Sequence, residues 1–235
     1  MRRRRAGGGL TSRAVRFADR TEAGRALAGA VAGALAQRPG GCAAAPVVLG
    51  LPRGGVVVAA PVAAALHAPL DVLVVRKLGA PGRPELAMGA VAVAGDVVET
   101  VRTPEVADAL AVDAGTFAAV RDRELAELSR RAAAYRTGRS PAVLRGRTVV
   151  LVDDGLATGS TMRAALAAVR QQRPACVVVA VPVASPRVAA ELAAEVDELV
   201  CLTAPAGFRA VGQAYRDFSP TPDDAVVAAL AAPPP

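Results

Sequence analysis

The sequence predicts an α/β protein built on a doubly wound, mostly parallel sheet that carries a helical and hairpin insert. Three observations predict it. Short apolar runs at residues 47–51, 70–75, 148–152, 175–183 and 198–202 have the near-continuous valine, leucine and alanine character of strands buried on both faces. Helical patterns separate most of them, giving the β–α alternation of a parallel sheet. Loops at 52–55, 76–88 and 153–161 follow the ends of these strands, where such sheets bind ligands.

Residues 21–37 read as the first helix, stopped by Pro39, Gly40 and Gly41. The run 47–51 is a strand closed by the tight Pro52-Arg53-Gly54-Gly55 loop. An apolar helix follows at 56–67, against the propensity of its three valines and Pro61. A second strand at 70–75 ends in Arg76-Lys77. Residues 78–88 contain two prolines and two glycines, so they read as a long mobile loop. The runs 89–93 and 97–101 pair as short strands around Gly95-Asp96. Residues 104–136 are mostly helical, with Phe117, Val120, Leu125, Leu128, Ala132 and Tyr135 forming an apolar stripe. After Ser140-Pro141 come a strand at 148–152, a loop at 153–159 and a helix at 160–172. A strand at 175–183, a helix at 186–195, a strand at 198–202 and a helix at 223–231 complete the pattern. One domain spanning 16–232 is expected, with its insert at about 96–147, a disordered basic leader at 1–15 and a frayed tail at 233–235.

The 235 residues carry a net charge of +7, which raises the question of a nucleic-acid or membrane partner. Residues 1–20 hold seven arginines against Asp19 alone, so the rest of the chain is nearly neutral. No apolar segment follows the run Arg2–Arg5, so the start is not a signal peptide. The alanine-rich stretch 26–36 is only eleven residues, too short to span a bilayer. The expected setting is the cytoplasm, with neither membrane nor nucleic acid as partner. His67 is the single histidine, which excludes a multi-histidine zinc site. Cys42, Cys176 and Cys201 are too few for a disulfide framework, and Cys176 and Cys201 read as inert core thiols in a reducing compartment. Lys77 is the one lysine among 28 basic residues, and its compact ammonium differs chemically from a guanidinium.

The most informative stretch is 149–162. A buried strand delivers Asp153 and Asp154, and a turn of small and hydroxylated residues then opens a helix. A helix N-terminus is a ready phosphate site. Gly159 permits close backbone approach, while Thr158, Ser160 and Thr161 offer hydroxyls. The two carboxylates suit sugar hydroxyls, a hydrated Mg²⁺ or a developing cation. A phosphate site and a diol site in one loop point to a ribose 5-phosphate. No Walker G-K-S/T occurs. A receiver domain would need an acceptor aspartate after a later strand, but Thr203 follows 198–202 and no lysine follows Lys77.

This stretch resembles the phosphoribosyl-pyrophosphate (PRPP) signature of type I phosphoribosyltransferases, two acids and a T-G-x-T turn after a hydrophobic strand. The resemblance covers about 45–95 and 148–203 and is specific around 149–162. It implies a magnesium–PRPP donor, with the 5-phosphate on Ala157, Thr158, Gly159, Ser160 and Thr161. The ribose diol would lie on Asp153 and Asp154, which would also hold Mg²⁺ through water. Residues 51–55 resemble the pyrophosphate loop, placing Arg53, Gly54 and Gly55 against the leaving group and a non-proline cis peptide between Pro52 and Arg53. Arg76 and Lys77 resemble the basic pair that meets pyrophosphate. Asp153, Asp154 and Lys77 make up the implied catalytic set, and Glu85 in the 78–88 loop is the nearest candidate base. That loop would close to exclude water.

Ala157 stands where 6-oxopurine transferases carry an aspartate, which is closer to the adenine, uracil and orotate branches. The segment holding Phe208, Tyr215 and Phe218 loosely resembles a base-recognition segment, with Phe208 and Tyr215 as stacking candidates. Packing of these rings onto the core is the alternative. The expected function is phosphoribosyl transfer from magnesium–PRPP to a nitrogen nucleophile of the nucleobase class, with release of pyrophosphate, in nucleotide metabolism. A homodimer is compatible with it. The alternative is a PRPP-sensing regulator that binds nucleic acid, which would need a basic face on the folded body.

Overall fold

The computed structural model describes residues 16–37, 45–94, 97–136 and 138–231. The expected leader at 1–15, the tail at 233–235, Cys42 and the Gly95-Asp96 turn lie outside the described residues.

In chain order the elements are α1 (Arg20–Ala36), β1 (Pro46–Gly50), α2 (Gly54–Ala65), β2 (Leu70–Ala80), β3 (Arg83–Ala94), β4 (Val97–Arg102), α3 (Pro104–Ala109) and α4 (Ala114–Arg136). Then follow β5 (Thr148–Val152), α5 (Ser160–Gln171), β6 (Cys176–Val183), α6 (Pro186–Ala193), β7 (Glu198–Thr203) and α7 (Asp223–Ala231). The sheet order is β4-β3-β2-β1-β5-β6-β7. Strands β2, β1, β5, β6 and β7 run parallel, while β3 and β4 form an antiparallel extension of β2. The parallel set has the order of a flavodoxin-type doubly wound sheet, whose switch point lies between β1 and β5. Gly50 pairs with Val152, so the loops that leave these two strands start side by side.

Alternation along each strand divides the apolar side chains between two faces. Val47, Leu49, Val149, Leu151, Val177 and Val179 pack against Met162, Leu166 and Val169 of α5 and against Val188 and Leu192 of α6. On the other face Val48, Val150 and Val178 pack against α1 and α2. Val72, Val74, Val91 and Val93 meet α4 and α7 in a third cluster. Each such valine or leucine contributes about 1.5–3 kcal/mol when fully buried. Near the start of β2, the buried Asp71 carboxylate accepts from Arg136 Nε at 3.0 Å and from the Ala142 amide at 2.9 Å, while Arg136 also donates to the Val72 carbonyl.

Two expectations are corrected. Residues 78–88 are not a loop, because β2 continues to Ala80 and returns as β3 from Arg83. The prolines and glycines serve a hairpin. Pro81 and Gly82 form the turn, Gly82 has φ +71°, and the pairing shifts register around Gly79. The second correction concerns Cys176, which is disulfide-bonded rather than a free thiol. Cysteine spacing alone does not exclude a single bridge. Cys201 is free, and burial pushes its thiol pKa up. Among the described residues no helix is long and apolar enough to cross a membrane.

Candidate active site

Strand β5 is buried along its whole length and ends at the acidic pair. The Asp153 carboxylate accepts from the Asp154 amide at 2.8 Å. Asp154 Oδ2 accepts from Arg20 Nε at 2.8 Å, and the Asp154 carbonyl accepts from the Tyr215 hydroxyl at 2.6 Å. Burial raises the pKa of Asp153 well above the ordinary carboxylate range, and the neighbouring Asp154 charge raises it further. Burial also raises Asp154, against the pull of Arg20.

The chain then docks against the end of β6. Leu156 N–H donates to the Val183 carbonyl at 2.9 Å, and the Leu156 carbonyl accepts from the Ser185 amide at 2.8 Å. This leaves Ala157, Thr158 and Ser160 exposed at the start of α5. Gly159 occupies the N-cap with φ +73° and brings no capping side chain, so the helix N-terminus faces outward with donors available to an anion. The Thr158 and Ser160 hydroxyls lie 3.1 Å apart. Arg163 holds the turn from behind, donating to the Thr158 carbonyl at 3.3 Å while paired with Glu191 of α6 and with Glu195 just after it. Gly159→Ala would place a Cβ 2.8 Å from Val188 Cγ1 in a left-handed conformation. It is expected to cost about 1–2 kcal/mol from the backbone alone, read as a lower midpoint in urea.

The β1–α2 loop closes the other side. Its Pro52–Arg53 peptide is cis. A Cβ at Gly54 would lie 2.0 Å from Asp154 Oδ2, and one at Gly55 would lie 2.8 Å from the Val152 carbonyl. A side chain at Gly55 would strike main-chain atoms and one at Gly54 the Asp154 and Arg20 side chains, so the loop lies directly on the acids. Two carboxylates, an open helix N-terminus and a glycine loop can together hold a ligand that carries a diol or a hydrated cation between two anionic groups.

The sequence pattern of the phosphoribosyl transferase domain matches residues 18–215. The chain belongs to that family. It is 50% identical over 214 residues to two Mycobacterium tuberculosis proteins named for the same family, from strains CDC 1551 and H37Rv. Those matches cover 91% of this chain and 46% of theirs, so the chain spans about half the length of these curated relatives. The crystal structure of TT1426 from Thermus thermophilus is 47% identical and similar at a TM-score of 0.78, covering 92% of this chain and 98% of that one.

The remaining candidates of this phosphoribosyl transferase domain are dispersed. Arg53 is half exposed and sits 4.0 Å from Asp223 of α7, whose carboxylate also accepts from the Tyr135 hydroxyl at 2.7 Å. Burial, and after it that contact, raise the Tyr135 phenol to about 12. Arg76 and Lys77 lie inside β2, not at its end, and so point to opposite faces. Arg76 lies on the α4 side, paired with Glu124 at 2.7 Å. Lys77 is exposed and shares the face of Leu73 and Val75, which pack in the cluster that includes α5. The expected basic pair is therefore split. Glu85 belongs to β3, and its side chain lies outside the described residues.

Tyr215 is 1% exposed and packs between Phe17 and Phe218, with centroid separations of 5.8 and 5.1 Å. A base has no access to its ring, so the stacking expectation is corrected to a packing and anchoring one. Phe208 is half-buried against the same cluster. Sequence reasoning misses two neighbours of the site, Arg163 and Arg20. By position Arg20 falls in the basic N-terminal stretch and reads as part of it. A signal is nevertheless present, because Asp19 is an N-cap residue that accepts from the Glu22 amide and marks the start of α1.

Proposed function

We propose that this domain transfers ribosyl 5-phosphate from PRPP to a nitrogen nucleophile of the nucleobase class and releases pyrophosphate. The observation that supports it best is the meeting of the Gly54-Gly55 loop with Asp153 and Asp154 beside the uncapped N-terminus of α5. In this reading the turn 157–161 takes the 5-phosphate through backbone N–H groups and the Thr158, Ser160 and Thr161 hydroxyls. Asp153 and Asp154 accept from the ribose diol. Gly54 and Gly55 let backbone amides approach the pyrophosphate, with Arg53 of the same loop and Lys77 of β2 as its cations.

No group of three or more metal-ligating side chains occurs among the described residues. The acid pair fits Mg²⁺, which keeps most of its water and takes one or two carboxylates together with ligand phosphates. When bound, Mg²⁺ neutralises charge on the departing pyrophosphate. The C1–O bond breaks with its electron pair leaving on pyrophosphate. A nitrogen lone pair forms the new C1–N bond on the opposite face, and the N–H proton of the acceptor passes to solvent. Asp153 and Asp154 stabilise the positive charge that develops at the sugar.

The nucleic-acid-binding alternative needs a basic body. Five of the seven net charges fall in residues 1–15, leaving +2 on the remaining 220. The deciding experiment measures pyrophosphate release from magnesium–PRPP in the presence of adenine, hypoxanthine, guanine, xanthine, uracil or orotate. Release with at least one base is expected. No release with any of them, despite PRPP binding by calorimetry, would reject catalysis on this acceptor class.

A further inference from the structure

Arg20 lies in the first turn of α1, 134 positions from the acid it touches. Its side chain is only 12% exposed and makes three different contacts. Nε donates to Asp154 Oδ2 at 2.8 Å, and Nη1 donates to the Ser219 carbonyl at 2.8 Å. The guanidinium carbon sits 4.1 Å from the centroid of the Phe218 ring. A planar fork can satisfy all three at once, whereas a lysine ammonium on a flexible stem cannot. Gly54 makes the room, since a Cβ there would lie 2.5 Å from Arg20 Nε.

The backbone around Arg20 is fixed on both sides. Asp19 accepts from the Glu22 amide at 2.8 Å, and the Glu22 carboxylate accepts from the Ala18 amide. Phe17 and Ala18 are joined to the segment after β7. Phe17 donates to the Ala214 carbonyl at 2.7 Å, and the Phe17 and Ala18 carbonyls accept from the Arg216 amide at 2.8 Å and the Asp217 amide at 2.9 Å. Arg20 therefore projects from a held position into the acid turn. Among the described residues it is the side chain that donates to the Asp154 carboxylate.

We propose that Arg20 is a positioning residue of this site. It holds the Asp154 carboxylate toward the glycine loop and fastens residues 215–219 over the acid turn, so that α1 completes the ribose end. The role rests on the PRPP reading above. Partners that orient a ligating carboxylate are typically worth about 10–100-fold in affinity or activity.

The test compares wild type, Arg20→Gln, Arg20→Lys and Phe218→Leu, each by calorimetry with magnesium–PRPP, by far-UV circular dichroism and by KM and kcat in the pyrophosphate-release assay. Arg20→Gln is expected to weaken PRPP binding about 10–100-fold, to raise KM for PRPP and to leave the far-UV spectrum unchanged. Arg20→Lys should regain part of that loss, because a cation stays within reach of Asp154. Phe218→Leu should weaken binding less than Arg20→Gln, since it removes the stacking surface and keeps the ion pair. It carries the test if the glutamine variant does not fold. Unchanged affinity in both Arg20→Gln and Phe218→Leu overturns the role. So does tighter binding by Arg20→Gln, which would make Arg20 a competitor for the site, or a lysine variant no better than the glutamine one. Failure of the wild type to bind magnesium–PRPP overturns the ligand reading and this role together. Wild-type binding with unaltered variants overturns this role alone.

Discussion

Asp153→Asn is expected to abolish magnesium–PRPP binding while raising the melting temperature of the ligand-free protein. The two effects share one cause. Burial and the Asp154 charge disfavour ionised Asp153, so the ligand-free fold holds a carboxylate it would rather protonate. The folded-state pKa lies above the ordinary value of 3.8. In the window between them the native state binds more protons than the unfolded chain, so stability falls as pH rises from about 4 through the raised value. Asparagine removes that slope and keeps an oxygen to accept the Asp154 amide, now bonded at 2.8 Å. A diol or hydrated cation loses its charged partner, worth at least about a hundredfold in affinity if two charge-assisted bonds go. Asp154→Asn should lower affinity but raise the melting temperature less, because Arg20 offsets part of the burial cost and is left without its carboxylate. Calorimetric titration together with thermal melts at pH 5 and pH 8 checks both variants. Equal melting shifts for the two would reject the argument.

The largest effect on stability is expected from Arg136→Met. Asp71 is 6% exposed, and its carboxylate depends on Arg136 Nε at 3.0 Å, with the Val72 and Ala142 amides as its other donors. Removing the cation leaves a buried charge with two neutral donors. Breaking one partner of a buried pair typically costs about 3–5 kcal/mol. For a chain of this size that corresponds to a melting temperature lower by roughly 6–20 °C. The pair sits near the start of β2, away from the acid turn, so PRPP affinity at a permissive temperature should be unaltered. Differential scanning calorimetry beside a binding titration separates the two. A shift under about 2 °C would mean that the pair adds little over its desolvation cost.

The elements legible from sequence are those whose signal is local. Strand β5 and helix α7 fall on the expected residues because a contiguous apolar run and an acidic first turn mark them. The acid turn is legible because its strand, loop and helix are consecutive. The β2–β3 hairpin is not, since the same prolines and glycines that mark a loop also build a turn and a bulge. Carrying the period-two pattern of β2 past Val75 through Leu78 and Ala80 would show Arg76 and Lys77 on opposite faces. Tyr215 and Arg20 escape a sequence reading for a different reason. Their decisive partners lie 61 and 134 positions away, and only the folded sheet brings them together.

The contact between the glycine loop and the acids also limits how this sequence can change over evolutionary time. A side chain at position 54 and a carboxylate at position 154 claim the same space. Neither can drift alone without disturbing the other. Position 55 is stricter, because the atoms it would strike include main-chain atoms of Val152 and Asp153, which no substitution elsewhere can shorten. A library that randomises residues 54 and 55 would consist mostly of proteins whose glycine loop cannot lie on the acids.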